Sequence, residues 1–254
     1  MGFFRAPSQK HRISEFIVII NTLKTIPLFS NLKEEHIEKL IPLARRLEFA
    51  RDEMIFYEGD PGDGFYIVET GKVKIYKLSF EGKEQILHIY GPGKPFGEVP
   101  VFEGNNFPAS ALAMVKSTII FIPRDKFVQL ISDTPALGMN MLGMLSMRLR
   151  EFTIQIENLS LKEVPARLAS YFITLAHEKT EGSAPPLNAV DQIDLPISKA
   201  QLANLIGTTP ETVSRMLKKM TDADIIGVQG KTITLKDPEA LADLSESGRL
   251  DKHD

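Results

Sequence analysis

The chain has 254 residues, of which 43% are hydrophobic and 25% charged, and its formal net charge is −3. This composition is typical of a folded globular protein, and the length predicts about two domains. The absence of Cys excludes disulfides, cysteine zinc sites, iron–sulfur clusters and a thiol nucleophile. The longest apolar run, residues 16–20, is far shorter than the roughly 20 residues that cross a bilayer, so we expect a cytoplasmic protein.

The first half of the chain predicts an arm followed by a β-rich domain. Residues 1–21 mix basic and apolar side chains and are interpreted as an N-terminal arm. Residues 22–134 begin with a helix, in which Ile37, Leu40 and Ile41 recur at helical spacing. Short runs of Val, Ile, Phe and Tyr then alternate with Gly, Pro and Asp, which predicts a barrel or jelly roll.

Residues 135–163 are predicted to form one long helix. Apolar side chains recur in it at spacings of three and four, the pattern of a coiled-coil seam. The seam residues are Leu142, Leu145, Leu149, Phe152, Ile156 and Leu159. A seam of this kind needs a second helix, so we expect a homodimer. The alternative is a core helix that packs on its own domain.

Residues 164–254 are predicted to form a DNA-binding domain. Three helices are expected, at 164–178, 198–206 and 210–221, with a surface loop at 180–192 and a hairpin from Ile225 to Leu235. A tight turn at Gly207 and Thr208 joins the second helix to the third. Two helices joined in this way are typical of a helix–turn–helix.

The third of these helices carries side chains that suit base recognition. Its outward side holds Glu211 and Arg215, and Glu accepts from cytosine while Arg forks onto guanine. The alternative is a solvated face, because a Glu and an Arg four residues apart also form an ordinary helix pair. The predicted DNA contacts are Ser198, Gln201, Thr209, Glu211, Thr212, Ser214, Arg215, Lys218 and Lys231.

The sequence resembles the cyclic-AMP-receptor and fumarate–nitrate-reduction (Crp/Fnr) family of bacterial regulators over about residues 26–236. The resemblance lies in ETVSR at 211–215, LANLIG at 202–207 and GKTI at 230–233. It implies an α+β chain with a β-roll sensor (22–134), a dimerisation helix and a winged helix–turn–helix. The receptor branch has Arg where this chain has Pro210, and the neighbouring Ser-Arg pair is more similar to the fumarate–nitrate branch.

The resemblance also implies a function. Members are effector-responsive transcription regulators that bind pseudo-palindromic double-stranded DNA as homodimers, with RNA polymerase as a further expected partner. An enzyme is disfavoured, because the sequence holds no nucleophile–base set and no metal-binding spacing. A cyclic-nucleotide module of a kinase or channel is the other alternative, but it would lack the helix–turn–helix.

An effector pocket is implied between the roll and the long helix. Its predicted walls are His88, Tyr90, Gly97, Glu98, Met144, Arg148, Phe152 and Thr153. Cyclic-AMP binders clamp the phosphate with an Arg-Ser pair, at the place where this chain has residues 107–110. No Arg occurs between Arg51 and Arg124. Because a buried phosphodiester needs a cation, cyclic AMP is disfavoured.

The sequence leaves the effector open. Haem is one candidate, in a sensor of nitric oxide or another diatomic gas, with His88 as a neutral imidazole ligand. The alternative for His88 is a strand histidine hydrogen-bonded to the long helix. Phe152 favours a flat apolar effector, and a small organic metabolite is the other candidate. No metal ligand set is predicted apart from His88.

Overall fold

The computed structural model describes residues 19–20, 22–24, 26–29, 32, 34–178 and 190–248. The chain divides into two compact units, Met1–Arg148 and Leu149–Asp254. Most of the predicted arm and most of the predicted loop at 180–192 lie outside the described residues.

The described part of the first unit contains eight strands. They are β1 Arg45–Phe49, β2 Met54–Phe56, β3 Gly64–Thr70, β4 Val73–Leu78, β5 Glu84–Tyr90, β6 Pro95–Phe96, β7 Ser110–Ala113 and β8 Ser117–Pro123. These strands form two four-stranded antiparallel sheets, with strand orders β1-β8-β3-β6 and β2-β7-β4-β5. The helices are α1 Glu34–Leu40, α2 Val99–Glu103 and α3 Arg124–Asp133, with 3-10 turns at Pro27–Phe29 and Ile41–Leu43. The predicted β-roll is therefore confirmed.

Strand β3 separates two clusters of the core. Phe65 and Ile67 belong to a cluster shared with the helices, where Phe65 stacks on Phe127 with ring centroids 4.5 Å apart. Tyr66 and Val68 belong to a second, aromatic cluster that draws on both sheets. Since successive side chains of a strand point to opposite faces, an unbroken apolar run in β3 supplies both clusters.

Helix α4 spans Pro135–Leu161, a length of about 40 Å at 1.5 Å per residue. Its first turns are anchored in the first unit. Leu137 and Met141 are buried among the helical core cluster, and Asn140 Nδ2 donates to the carbonyl oxygen of Leu28 at 2.9 Å. This anchoring fixes the start of the helix that carries the predicted seam.

Among the residues that the structure describes, the second unit holds four further helices and a three-stranded sheet. They are α5 Val164–Glu178, α6 Lys199–Ile206, α7 Pro210–Asp222, α8 Pro238–Ser247, β9 Gln192–Asp194, β10 Ile226–Gln229 and β11 Thr232–Leu235. The sheet order is β10-β11-β9, with all pairs antiparallel. The predicted winged helix–turn–helix is confirmed, while β9 and α8 were not predicted.

Candidate nucleic-acid interface and effector site

Helix α6 begins at a reciprocal hydrogen-bonded cap. Ser198 Oγ accepts from the Gln201 amide at 3.2 Å, and Gln201 Oε1 accepts from the Ser198 amide at 2.9 Å. These two predicted DNA contacts therefore hold each other at the helix start. The helix ends at Gly207, whose φ of 70° is left-handed and turns the chain toward α7.

Helix α7 is started by Thr209 and Pro210. Thr209 Oγ1 accepts from the Thr212 amide at 3.3 Å, and Pro210 at the first position has no amide hydrogen to leave unpaired. One face is buried, through Val213, Met216, Leu217 and Met220. These four apolar side chains pack against the rest of the second unit and so determine which side of α7 faces outward.

The outward side of α7 carries the predicted base-reading residues. Glu211, Ser214, Arg215 and Lys218 are exposed, and Thr212 is half-buried. A hydrogen bond from its own backbone amide, followed by one with Thr209, lowers the pKa of Glu211 and so favours its charged form. Of the residues that the structure describes, none forms an ion pair with Arg215 or Lys218. The Glu211–Arg215 pair of the alternative interpretation is thus not formed.

The wing presents one further predicted contact. Lys231 is exposed at the β10–β11 turn, where Gly230 has a φ of 63°. Thr232 Oγ1 donates to Asp194 Oδ1 at 2.8 Å and ties the wing to strand β9. The turn therefore holds the Lys231 backbone while its side chain extends from the tip.

The predicted effector site is built around a turn that only glycine suits. Gly97 has a φ of 75°, and a Cβ there would lie 2.9 Å from the Tyr66 ring. The turn places the next residue, Glu98, inside the unit, where its carboxylate forms an ion pair with Arg148 of helix α4. Arg148 also donates to the Pro95 carbonyl oxygen, and its guanidinium lies 4.9 Å from the Tyr90 ring centroid.

His88 lies beside this ion pair. His88 and Tyr90 are two apart on β5 and therefore share a face, with ring centroids 4.2 Å apart. Burial, followed by the positive charges of Arg148 and Lys94, lowers the pKa of His88 to about 4. The imidazole is therefore neutral at pH 7. Lys94 was not predicted, because it lies in the turn between two strands and fits no periodic pattern.

The remaining predicted walls are Met144, Phe152 and Thr153. Met144 packs against the core cluster that contains Leu137 and Met141. Phe152 and Thr153 belong to the second unit, and Thr153 Oγ1 donates to the Leu149 carbonyl oxygen at 2.9 Å. The group assembled in the first unit thus consists of His88, Tyr90, Gly97, Glu98 and Arg148, together with Lys94 and the Pro95 carbonyl.

The place of the family's phosphate clamp is filled by apolar side chains. Phe107 stacks on Phe56 with ring centroids 3.8 Å apart, and Ala109 is buried. Ser110 Oγ accepts from the Glu58 amide at 2.9 Å. Arg124 is engaged with the carbonyl oxygens of Pro100 and Val101, at 3.1 and 2.9 Å. No guanidinium is therefore described at this place.

The predicted seam residues run along α4. Leu142, Leu149 and Ile156 are seven apart and are 59%, 68% and 65% exposed, and Phe152 is 41% exposed. Leu145 and Leu159 are half-buried. An exposed apolar row of this spacing is a surface that a second helix covers in a coiled coil.

Two features are absent from the described part of the chain. It contains no group of three or more His, Cys, Asp or Glu side chains placed to hold a metal ion. None of its helices is both long enough and apolar enough to cross a membrane.

Comparison with known proteins decides the family. Residues 46–134 match the model of a cyclic nucleotide-binding domain, and residues 166–244 match that of a Crp-like helix-turn-helix domain. The chain belongs to the Crp/Fnr family of transcription regulators. The predicted family is thereby confirmed, and transcription regulation through a DNA-binding helix–turn–helix with it.

Two curated Crp/Fnr relatives are similar over most of their length. A CRP-like cAMP-activated global transcriptional regulator of Mycobacterium tuberculosis is 30% identical over 217 residues, covering 85% of this chain and 94% of the relative. The cyclic AMP receptor protein of Thermus thermophilus is 28% identical over 223 residues, covering 88% and 98%. The first of the two is named as a transcriptional regulator, which agrees with the regulator predicted for this chain.

Solved structures give the same fold. FixK2 from Bradyrhizobium japonicum superimposes with a TM-score of 0.68 at 25% identity, covering 79% of this chain and 96% of its own. The c-di-GMP-responsive regulator CLP of Xanthomonas campestris gives 0.68 at 25% identity, covering 81% and 100%. The names of the two curated relatives state cyclic AMP, whereas that of CLP states c-di-GMP, so the Crp/Fnr fold alone does not specify an effector.

Proposed function

We propose that this Crp/Fnr regulator is a homodimer that reads a pseudo-palindromic duplex with helix α7 and is switched by a small effector in the β-roll. The main support for DNA recognition is the outward side of α7. Arg215 and Lys218 are exposed there and form no ion pair with any residue that the structure describes. Arg forks onto guanine in the major groove, and the capped α7 is about 20 Å long and narrow enough to enter it.

The exposed row on α4 supports the homodimer. Leu142, Leu149 and Ile156 repeat at seven residues, so they lie on one line of the helix. A two-fold symmetric partner would present the same line and cover it. A symmetric dimer offers two copies of α7 to successive major grooves, which is why the operator should be pseudo-palindromic.

The buried pair at Glu98 and Arg148 supports the switch. Glu98 belongs to the β-roll and Arg148 to the helix that carries the seam. A ligand that binds the carboxylate or the guanidinium competes with the pair and changes how α4 is held. The effector would thus shift the population between two arrangements of the helix and, through it, the recognition helices.

The surroundings of His88 favour a small polar effector over haem. A neutral imidazole is suitable as an axial ligand. However, the His88 ring packs against Tyr90. Beside the ring lies the buried Glu98–Arg148 ion pair, whereas a porphyrin occupies apolar space. The described residues therefore do not fit haem in this conformation. An absorption spectrum of the purified protein without a Soret band is the expected result, and a Soret band that His88→Ala abolishes would contradict this argument.

Selection of bound duplexes from a random pool tests the proposed function. The full chain should enrich two inverted half-sites whose centres lie about one helical turn apart. Enrichment of single half-sites would contradict the dimer, and absence of any enriched sequence would contradict specific recognition.

A further inference from the structure

A cavity of about 570 Å³ opens within the second unit, beside the recognition helix. One wall is the segment 160–165, at the end of α4 and the start of α5. The other is a side of α7 formed by Thr212, Arg215, Met216 and Lys219. The positions 212, 215 and 219 recur at helical spacing, so this wall adjoins the base-reading side of the helix. We call this cavity the basic groove.

The basic groove concentrates positive charge in a unit that has little overall. Its lining holds Lys162, Arg167, Arg215 and Lys219, with Glu163 as the acidic member. Residues 149–254, the whole unit, carry 12 Lys and Arg against 16 Asp and Glu. The local excess is therefore a feature of this place and not of the domain's net charge.

Arg167 fixes the wall of the basic groove that follows α4. Its Nε donates to the Lys162 carbonyl oxygen at 2.8 Å, and its Nη1 donates to the Ile206 carbonyl oxygen at 2.9 Å. The guanidinium thus links the segment that follows α4 to the end of α6, directly before the turn into α7. Because Arg167 is used in this way, its role in the groove is structural.

The two lysines keep their charge available. Lys162 Nζ donates to Ser170 Oγ at 3.2 Å, and a hydroxyl does not neutralise an ammonium. Lys219 is exposed and forms no ion pair within the described part of the chain. An ammonium group binds phosphate as a compact point charge with three donors.

We infer that the basic groove binds a phosphodiester of the DNA backbone through Lys162 and Lys219. The inference rests on the proposed DNA recognition and extends it to a residue outside the helix–turn–helix. When α7 lies in the major groove, the strand that borders the groove runs alongside the helix, and side chains beside the base-reading row meet its phosphates. Lys219 meets this requirement from α7. Lys162 lines the opposite wall, and its ammonium would exchange the Ser170 hydroxyl for the phosphate.

The two-sided contact has a regulatory consequence. Lys162 lies immediately after the long helix, so a phosphate held by both lysines favours one position of that connecting segment. By linkage, any effector that favours the same position raises the affinity for DNA, and bound DNA raises the affinity for that effector by the same factor.

The test uses the full chain with Lys162→Gln, Lys219→Gln and the double variant. Binding to the selected duplex and to a random duplex is measured by fluorescence anisotropy at several salt concentrations. Because the two lysines share one phosphate, the double variant should lower the slope of log K against log salt by about 0.9, and each single variant should lower it by a smaller amount. The affinity should fall by the same factor on both duplexes, because a phosphate contact carries no sequence information.

Lys236→Gln is the matched control, since Lys236 Nζ is already paired with Asp224 Oδ1 at 2.6 Å. It should leave the slope unchanged. Unchanged slopes for Lys162→Gln and Lys219→Gln, with normal binding by the wild type, would overturn the groove contact while leaving the proposed function intact. A loss confined to the selected duplex would make Lys219 a base reader and would also overturn it. Failure of the wild type to bind either duplex would instead contradict the proposed function.

A calorimetric titration with inorganic phosphate alone distinguishes a site for a free anion from a site for DNA phosphates in the basic groove. The proposal predicts no saturable binding below millimolar phosphate. Tight binding of inorganic phosphate that Lys219→Gln abolishes would assign the groove to a small anionic ligand and overturn the DNA contact.

Discussion

The carboxylate of Glu98 is paired with the guanidinium of Arg148 inside the first unit, and each side chain is 10% exposed. The pair joins the turn after β6 to the long helix, and Arg148 is further held by the Pro95 carbonyl oxygen and the Tyr90 ring. Because both charges are removed from water, each depends on the other for its compensation. The contact therefore constrains the helix and at the same time occupies the two groups that we propose an effector binds.

Removal of one member of this pair should be strongly destabilising. Glu98→Ala leaves the Arg148 charge buried without its partner, and we expect a loss of about 3–5 kcal/mol in the free energy of unfolding of the first unit. Urea unfolding followed by circular dichroism measures it. Arg150→Ala, an exposed arginine on the same helix, is the control and should change stability by no more than about 0.5 kcal/mol. Equal effects of the two substitutions would show that the ion pair contributes nothing specific.

His88 should make the protein less stable in mild acid. Its pKa is lowered from 6.5 to about 4, so the native state binds fewer protons than the unfolded state between these values. The stability it contributes is complete above pH 6.5 and is lost as the pH falls toward 4. Between pH 7.5 and 5 the loss is about 2 kcal/mol. His88→Gln should reduce this pH dependence by that amount, and an NMR titration showing an ordinary His88 pKa would contradict it.

Cyclic AMP should not bind measurably. Phe107 and Ala109 occupy the place of the phosphate clamp and offer no charge, and Pro108 has no amide hydrogen. Calorimetric titration of this chain should show no saturable heat, and the Mycobacterium tuberculosis relative, named as cAMP-activated, is the positive control. Micromolar binding of cyclic AMP to this chain would contradict the prediction and show that a group outside the clamp supplies the cation for the phosphate.

The helices of the second unit were largely predictable from the sequence, because their signals are local. Gly207 marks the end of α6, and Pro210 marks the start of α7 a few residues later. Strand β9 was not predicted, since three residues show no period and its partner β11 lies far along the chain. Helix α8 was missed although Asp237 caps it, at 2.9 Å from the Ala240 amide.

The sequence indicated individual residues of the two sites but not how those residues interact. Arg148 and Glu98 were singled out separately, but no local pattern shows that they neutralise each other. The basic groove was not predicted, because Lys162 and Lys219 are far apart in the sequence and line one cavity only through the tertiary packing that Arg167 supports. Long-range pairing of charges depends on tertiary structure, which periodicity and capping signals do not encode.

Disruption of the seam should dissociate the protein. Leu149 is 68% exposed in the middle of the row on α4, and Leu149→Glu would place a carboxylate opposite its own copy in a parallel pair. Sedimentation velocity should show a monomer, with weakened DNA binding. Arg150→Glu changes the charge of the next residue off the row and should remain dimeric. A Leu149→Glu protein of unchanged mass would place the dimer contact elsewhere.

The affinity of Arg215→Ala for the selected operator, compared with that for a random duplex, tests the central claim most directly. If α7 reads base edges, the substitution costs about 1–3 kcal/mol on the operator and little on random DNA, because the guanidinium contacts a specific base. Fluorescence anisotropy titrations of both duplexes at one salt concentration give the affinity of each protein for the operator and for random DNA. A large loss on the operator alone is the predicted result. Equal losses on both duplexes, or no loss on either, would contradict sequence recognition by this helix.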